Sequence, residues 1–386
     1  MALASAPRWT FALAPRGSNA WRSNRAAERV RNFSTGACAR TGCASVGGSL
    51  GNSHSGLVWG FSGLSSLFFP QVRSLTSSRM AKSKASKRSL RSKDLEILKC
   101  HRCFEGTVFR CTHRSAALGL DACFSVYVPD APRIHTTLPY PRDCEEFPVL
   151  LFLSDEGCND IDILMQGNVL QHCSDCGLIL VSADTCPREA ETEGAEGVSV
   201  CGASYYVNAT EKPWNTHCKM RDYLEAELLD LVHDNFPTCG SEAVSIMGHG
   251  MGGTAALSMA LRKDALPFRS VSALAPLLNP TEVEETKKTF RQLLGQDESS
   301  WRSYDPLAAV IDSSGLAPPT LVDVGSEENS NYVQKMVKPF DFISACHQSR
   351  VPVDFRLRAG FDHSFFFVAS VMEEHIDFHS KHLDDA

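Results

Sequence analysis

An α/β domain with a mostly parallel central sheet is predicted for residues 94–386. Two observations carry it: short apolar runs alternate with helical patterns, and one run passes through a glycine-rich turn straight into a helix. Phe147 to Leu153, Leu178 to Ala183, Val244 to Met247, Val271 to Ala275, Thr320 to Val324 and Val353 to Leu357 are the apolar runs, the mark of strands covered by helices on both faces. Between them, Leu224, Leu228, Leu231 and Val232 recur at helical spacing until Phe236-Pro237 closes the segment, and Phe340 to Gln348 and Ser364 to His382 repeat the pattern. The stretch from Phe104 to Val128 reads as an antiparallel hairpin leading in. Such a sheet places functional loops at the carboxyl ends of its strands.

The charge of the chain is divided unevenly. Up to Lys93 there are fifteen Lys and Arg against the single acid Glu28, a balance of +14, so the total of −7 leaves −21 for the remaining 293 residues. Residues 1–93 are rich in Arg, Ser, Ala and Gly and show no periodicity that could bury a core, which predicts a disordered basic extension of the transit-peptide kind. Arg29-Val30-Arg31-Asn32-Phe33-Ser34-Thr35 resembles the cleavage region of a mitochondrial presequence, and a plastid address fits the same composition. Met80 is a second candidate start, and initiation there would leave a cytoplasmic protein. The apolar patch from Leu57 to Phe69 is thirteen residues long and broken by Gly60 and Gly63, too short for a membrane span. Neither a nucleic-acid partner nor a membrane span is expected.

Thirteen of the fifteen cysteines fall in the acidic part, scattered without framework spacing over a large domain, which predicts reduced thiols in a reducing compartment. Cys100-His101-Arg102-Cys103 and Cys173-Ser174-Asp175-Cys176 are both C-x-x-C, yet they lie seventy residues apart and the second falls in a helical pattern. No metal and no cofactor are expected.

The turn that closes one of these strands is the most informative part of the chain. Val244 to Met247 runs into Gly248-His249-Gly250-Met251-Gly252-Gly253, and small apolar residues continue to Arg262, so strand, sharp turn and helix follow directly. In α/β-hydrolases the G-x-S-x-G elbow occupies this junction, its flanking glycines letting helix and strand approach, its serine held in a strained conformation that presents Oγ. Here Gly250 stands at the serine position.

Further motifs follow in a fixed order. Asp184-Thr185-Cys186-Pro187-Arg188, Tyr206-Val207-Asn208-Ala209-Thr210 with Pro213-Trp214, Asn235-Phe236-Pro237, Ser272-Ala273-Leu274-Ala275-Pro276 with Asn279-Pro280, and Gly360-Phe361-Asp362-His363-Ser364 together resemble the S-formylglutathione hydrolase (esterase D) family from about residue 97 onward. The resemblance implies an α/β-hydrolase fold, a homodimer, and a glutathione thioester or small carboxylic ester as ligand. It places the nucleophile at Gly250, the base at His363 and the acid at Glu328, where the family has aspartate, with Glu327 a competing candidate one residue away. The order of nucleophile, acid and histidine is the one this fold uses. An oxyanion hole would use the backbone N–H of Met251 and one from the loop after an earlier strand, at Glu156.

Departures from the family gather at this site. The earlier loop reads Ser154-Asp155-Glu156-Gly157-Cys158 where the family resembles Ser-Gly-Leu-Thr-Cys, which brings carboxylates beside a site meant for a developing oxyanion. Glu189 to Ser204 is acidic and lacks the family's Trp-Asp-Phe-Gly stretch, and Glu285 stands where tryptophan is frequent. A catalytically inactive or strongly impaired member is therefore expected. Three alternatives remain open: an active S-formylglutathione hydrolase or carboxylesterase, through an error in the gene sequence at codon 250 or slow turnover of a water activated by His363; a ligand-binding or scaffolding protein; and an NAD-binding protein through Gly248-x-Gly250-x-x-Gly253. The last lacks the acid that this fingerprint needs at the end of the next strand, where Pro276-Leu277-Leu278 stand instead.

Overall fold

The computed structural model describes residues 95–130, 146–187, 204–313, 317–327 and 337–383. The basic extension and most of Glu189 to Ser204 lie outside the described residues, as does Glu328. Among those described, nine strands form one sheet in the order β1-β2-β3-β5-β4-β6-β7-β8-β9. The strands are β1 (Leu95–Cys103), β2 (Gly106–Arg114), β3 (Asp121–Pro129), β4 (Val149–Leu153), β5 (Ile179–Ala183), β6 (Val244–His249), β7 (Val271–Leu274), β8 (Thr320–Gly325) and β9 (Val353–Arg358).

β1, β2 and β3 pair antiparallel and join β5 antiparallel, whereas β5, β4, β6, β7, β8 and β9 are parallel to their neighbours. The expected lead-in hairpin is thus two strands of a three-stranded meander. Its first strand, β1, is exposed along most of its length, and its large apolar residues, Leu95, Ile97 and Leu98, are confined to its start. The six apolar runs are β4 to β9 in order. The five from β4 to β8 are buried at every position, as sequences covered on both faces must be, while β9 lies at the edge of the sheet and leaves Leu357 58% exposed. One correction concerns sulfur: Cys218 is disulfide-bonded, while Cys100, Cys103, Cys111, Cys123, Cys173 and Cys346 are free thiols.

The topology fixes where a ligand can bind. From β4 the chain passes to β5 on one side of the sheet and later to β6 on the other, so β4 and β6 flank the point at which the winding reverses. In open parallel sheets the crevice outside the carboxyl ends at such a point is the binding site. Leu153, the last residue of β4, pairs with Gly248 of β6, which brings the loop beginning at Ser154 beside the turn at Gly250.

Helix Phe365–Leu383 packs on the sheet through Phe367, Val371 and Ile376, and adds polar contacts that no local sequence pattern announces. His375 Nδ1 lies 2.9 Å from Ser272 Oγ, and the His379 ring spans Ser270 Oγ at 2.8 Å and Ser272 Oγ at 2.7 Å. Asp323 of β8 lies 3.6 Å from His375 Nε2, an ion-pair spacing too long for a direct hydrogen bond, and accepts from Arg358 Nε at 2.7 Å. Serine, histidine and aspartate are thus aligned here, yet all three are wholly buried and Ser272 is shared between two rings, so the arrangement anchors a helix. Burial pulls both histidines below their ordinary pKa, His375 despite the opposing charge of Asp323.

These neutral rings make stability depend on acid. Below about pH 6.5 the unfolded chain binds protons at these positions more readily than the folded chain, so stability falls as pH falls, by at most about 1.4 kcal/mol per pH unit for each histidine. Urea midpoints measured from pH 8 to 5.5 should show this decline, shallower in His379→Gln. A flat profile between pH 7 and 5.5 would count against neutral buried rings.

Candidate functional site

The turn after β6 keeps the backbone of an elbow. Gly250 has φ +52° and ψ −118°, its N–H donates to Leu274 O at 2.8 Å, and its carbonyl accepts from Thr254 N at 3.0 Å and Thr254 Oγ1 at 3.1 Å. Thr254 Oγ1 in turn accepts from Leu277 N, tying the turn to the loop after β7. Left-handed φ is costly for a residue with a Cβ, by roughly 1–3 kcal/mol, and glycine adopts it freely.

The next helix, Met251–Leu261, is buried at all eleven positions, as a helix apolar all round must be. It approaches the sheet closely because Gly252 has no side chain. A Cβ there would overlap the carbonyls of Leu153 and Ser154, and one on Gly248 would overlap the backbone of Gly252. Gly253 is used in the same contact, facing Gly248 O, Ala273 and Pro276. The three glycines of the dinucleotide fingerprint are therefore occupied by strand, turn and helix packing. The strand after the elbow helix ends in buried Ala275, Leu277 and Leu278, which offer no carboxylate for a ribose.

The loop after β4 reaches over the elbow. Asp155 O accepts from Cys158 N at 3.1 Å, closing a turn in which Gly157 takes φ +76°. Tyr206 donates its phenol to Ser154 O at 2.8 Å and holds the loop from beneath. From this loop Asp155 Oδ1 accepts the backbone N–H of Met251 at 2.7 Å. A Cβ on Gly250 would fall inside the Asp155 carboxylate group. The N–H that the sequence assigns to an oxyanion hole therefore already holds an anion, and that anion belongs to the protein.

His363 is exposed in the loop after β9. Its carbonyl accepts from His249 Nε2 at 2.6 Å, so the buried residue before Gly250 fixes the loop that carries the proposed base. Asp362 accepts from Ser364 N at 3.0 Å and Ser364 Oγ at 2.6 Å, and these bonds hold its carboxyl below the ordinary range. The loop after β8 is laced to the same segment, with Glu327 N donating to Phe361 O at 2.9 Å and Gly360 N donating to Ser326 Oγ at 3.0 Å. Glu327 itself is exposed and accepts from Ser326 Oγ at 3.3 Å.

A pocket of about 360 Å³ opens at this point. Gly250, Met251, His363 and Glu156, four of the five predicted site residues, line it together with Asp155, Tyr205 and Glu285. The fifth, Glu328, is outside the described residues. Tyr205 is half-buried in the wall, its phenol 3.3 Å from Thr286 Oγ1. Burial pushes that phenol up to about 12 against the pull of Thr286, and the charges of Glu156, Asp155 and Glu285 add to the rise. Three carboxylates thus act on one small volume.

Comparison with known proteins agrees with the fold. The Esterase family model matches residues 125–378. The chain is 34% identical over 293 residues to the S-formylglutathione hydrolase of Rattus norvegicus, covering 75% of this chain and 99% of that protein. Among solved structures, the S-formylglutathione hydrolase of Agrobacterium tumefaciens superposes with a TM-score of 0.67 at 30% identity, covering 75% of this chain and 99% of its own. The fluorophosphonate-binding serine hydrolase FphF of Staphylococcus aureus has the same fold, with a TM-score of 0.55 at 17% identity and coverage of 72% and 99%.

The close packing of the elbow helix can be tested directly. Gly252→Ala would push a methyl group into two carbonyl oxygens, and overpacking of this kind costs about 1–3 kcal/mol. Thermal unfolding should begin several degrees earlier in this variant. An unchanged midpoint would show that helix and strand can separate without cost.

Proposed function

The chain belongs to the S-formylglutathione hydrolase family of esterases, and we propose that it is a member in which acyl transfer through a covalent intermediate has been lost. The observation that carries this reading is Gly250: the backbone retains the conformation that presents a nucleophile, and no oxygen is there to be presented. His363 would remain as a base without a hydroxyl to deprotonate. Residual catalysis without a triad nucleophile comes from binding and from backbone donors, and the donor at Met251 is engaged by Asp155. The protein then acts by binding at its pocket, or through its surface.

Full-length protein should hydrolyse S-formylglutathione and 4-nitrophenyl acetate no more than ~10³–10⁴-fold above the uncatalysed rate, the level left after loss of a nucleophile. It should also show no burst of 4-nitrophenolate and take up no fluorophosphonate. Stoichiometric labelling, or turnover with a burst, would sink the proposal.

The composition of residues 1–93 supports import into an organelle, the mitochondrion first, with cytoplasmic residence as the outcome of initiation at Met80. Fluorescence from a C-terminally tagged chain started at Met1 should coincide with a mitochondrial marker. Diffuse cytoplasmic signal would count against a presequence.

A further inference from the structure

We propose that Asp155 is a built-in occupant of the oxyanion site, so that Gly250 and Asp155 form a matched pair and restoring serine alone does not reopen the site. This rests on the reading of the chain as a member without a working nucleophile, and it names a second residue that keeps the site closed.

One hydrogen bond and the empty space beside Gly250 put the carboxylate there. Its Oδ1 takes the N–H of Met251 at 2.7 Å, at the first residue of an eleven-residue helix whose N-terminus favours negative charge. Its carboxyl atoms also fill the space that a Cβ at position 250 would need. The carboxylate can lie in this position because residue 250 has no side chain. A serine there would meet Asp155 before it met a substrate.

The consequence for acyl chemistry is twofold. The N–H that would stabilise a tetrahedral oxyanion is engaged by an oxygen that already carries charge, and a substrate carbonyl would have to displace it. Even a displaced carboxylate would remain beside the developing oxyanion, where like charge raises the barrier. The contact joins loops on two different strands and is supported on the other side, since Tyr206 holds Ser154 O and the turn from Asp155 to Cys158 is closed by its own hydrogen bond. Asp155 is therefore positioned by the fold.

Fluorophosphonate labelling of the full-length chain tests the pair. Gly250→Ser alone should label no faster than background, and Gly250→Ser with Asp155→Gly should label at least ~10²-fold faster, the factor associated with one oxyanion donor. Gly250→Ser with Asp155→Asn, which fills the same space without charge, should stay slow. Equal labelling of the single and the Asp155→Gly double variant would overturn the proposal, as would absence of labelling from a folded double variant. Should the serine variants not fold, the Met251 amide of the unaltered chain reports by itself: its hydrogen exchange should be slow and should accelerate in Asp155→Gly. Unchanged exchange would overturn the proposal as well. Labelling or turnover by the unaltered chain would instead sink the reading of lost chemistry, a result distinct from any of these.

Discussion

The contact of helix Met251–Leu261 with the ends of β4 and β6 is the constraint on which the site depends. The helix is apolar on every side and buried, so it cannot drift toward solvent, and Gly252 lets its first turn lie against the carbonyls of Leu153 and Ser154. The turn before the helix and the loop after β4 must then share one small volume at the reversal point of the sheet. Asp155 and Met251, 96 positions apart in the chain, meet there at hydrogen-bond distance. The same packing that would hold a nucleophile in place holds a carboxylate instead.

Electrostatics then decide what the volume accommodates. A helix N-terminus with a free N–H is an anion site, useful in catalysis because the anion arrives only as the reaction proceeds. Here a side chain of the protein, Asp155, takes that N–H. The bond ties the loop after β4 to the elbow helix while it withdraws the donor from use. Glu156 and Glu285 add negative charge to the same pocket, which acts on Tyr205 in the opposite wall. The result is a pocket whose anion-binding end is closed from within.

Most of the architecture is legible in the sequence because burial on both faces leaves an unbroken apolar run, and β4 to β8 are of that type. β1 is not legible, since its apolar residues are confined to its first half and two of them, Ile97 and Leu98, are exposed, and the edge position of β9 comes from strand order, which no local window contains. The elbow is readable because strand, glycines and helix are consecutive. Asp155 and Glu156 are recognisable as misplaced charges near the site, whereas the bond to the Met251 N–H and the overlap with a Cβ at 250 arise only when two loops from neighbouring strands are brought together. His375, His379, Ser270 and Ser272 escape a sequence reading for the same reason: about a hundred residues separate the rings from the hydroxyls they face.

The distribution of backbone strain fits a site that retains its walls. Tyr205, Tyr206 and Ala275 all have left-handed φ, near +50°, and each carries a side chain that makes this conformation costly. Tyr205 lines the pocket, Tyr206 holds the loop that carries Asp155, and Ala275 donates its N–H to Asp323 O at the end of β7. The elbow has the same sign of φ, yet its residue is glycine, for which the conformation is nearly free. A serine at 250 would bear that strain and would also crowd the Asp155 carboxylate; glycine does neither. Glycine at 250 avoids that strain and leaves room for the bond from Met251 N–H to Asp155, so the fold is favoured by the residue found there. On the proposed reading, stability and acyl chemistry pull position 250 in opposite directions, because the backbone strain and the Asp155 carboxylate both oppose the side chain that a nucleophile would need.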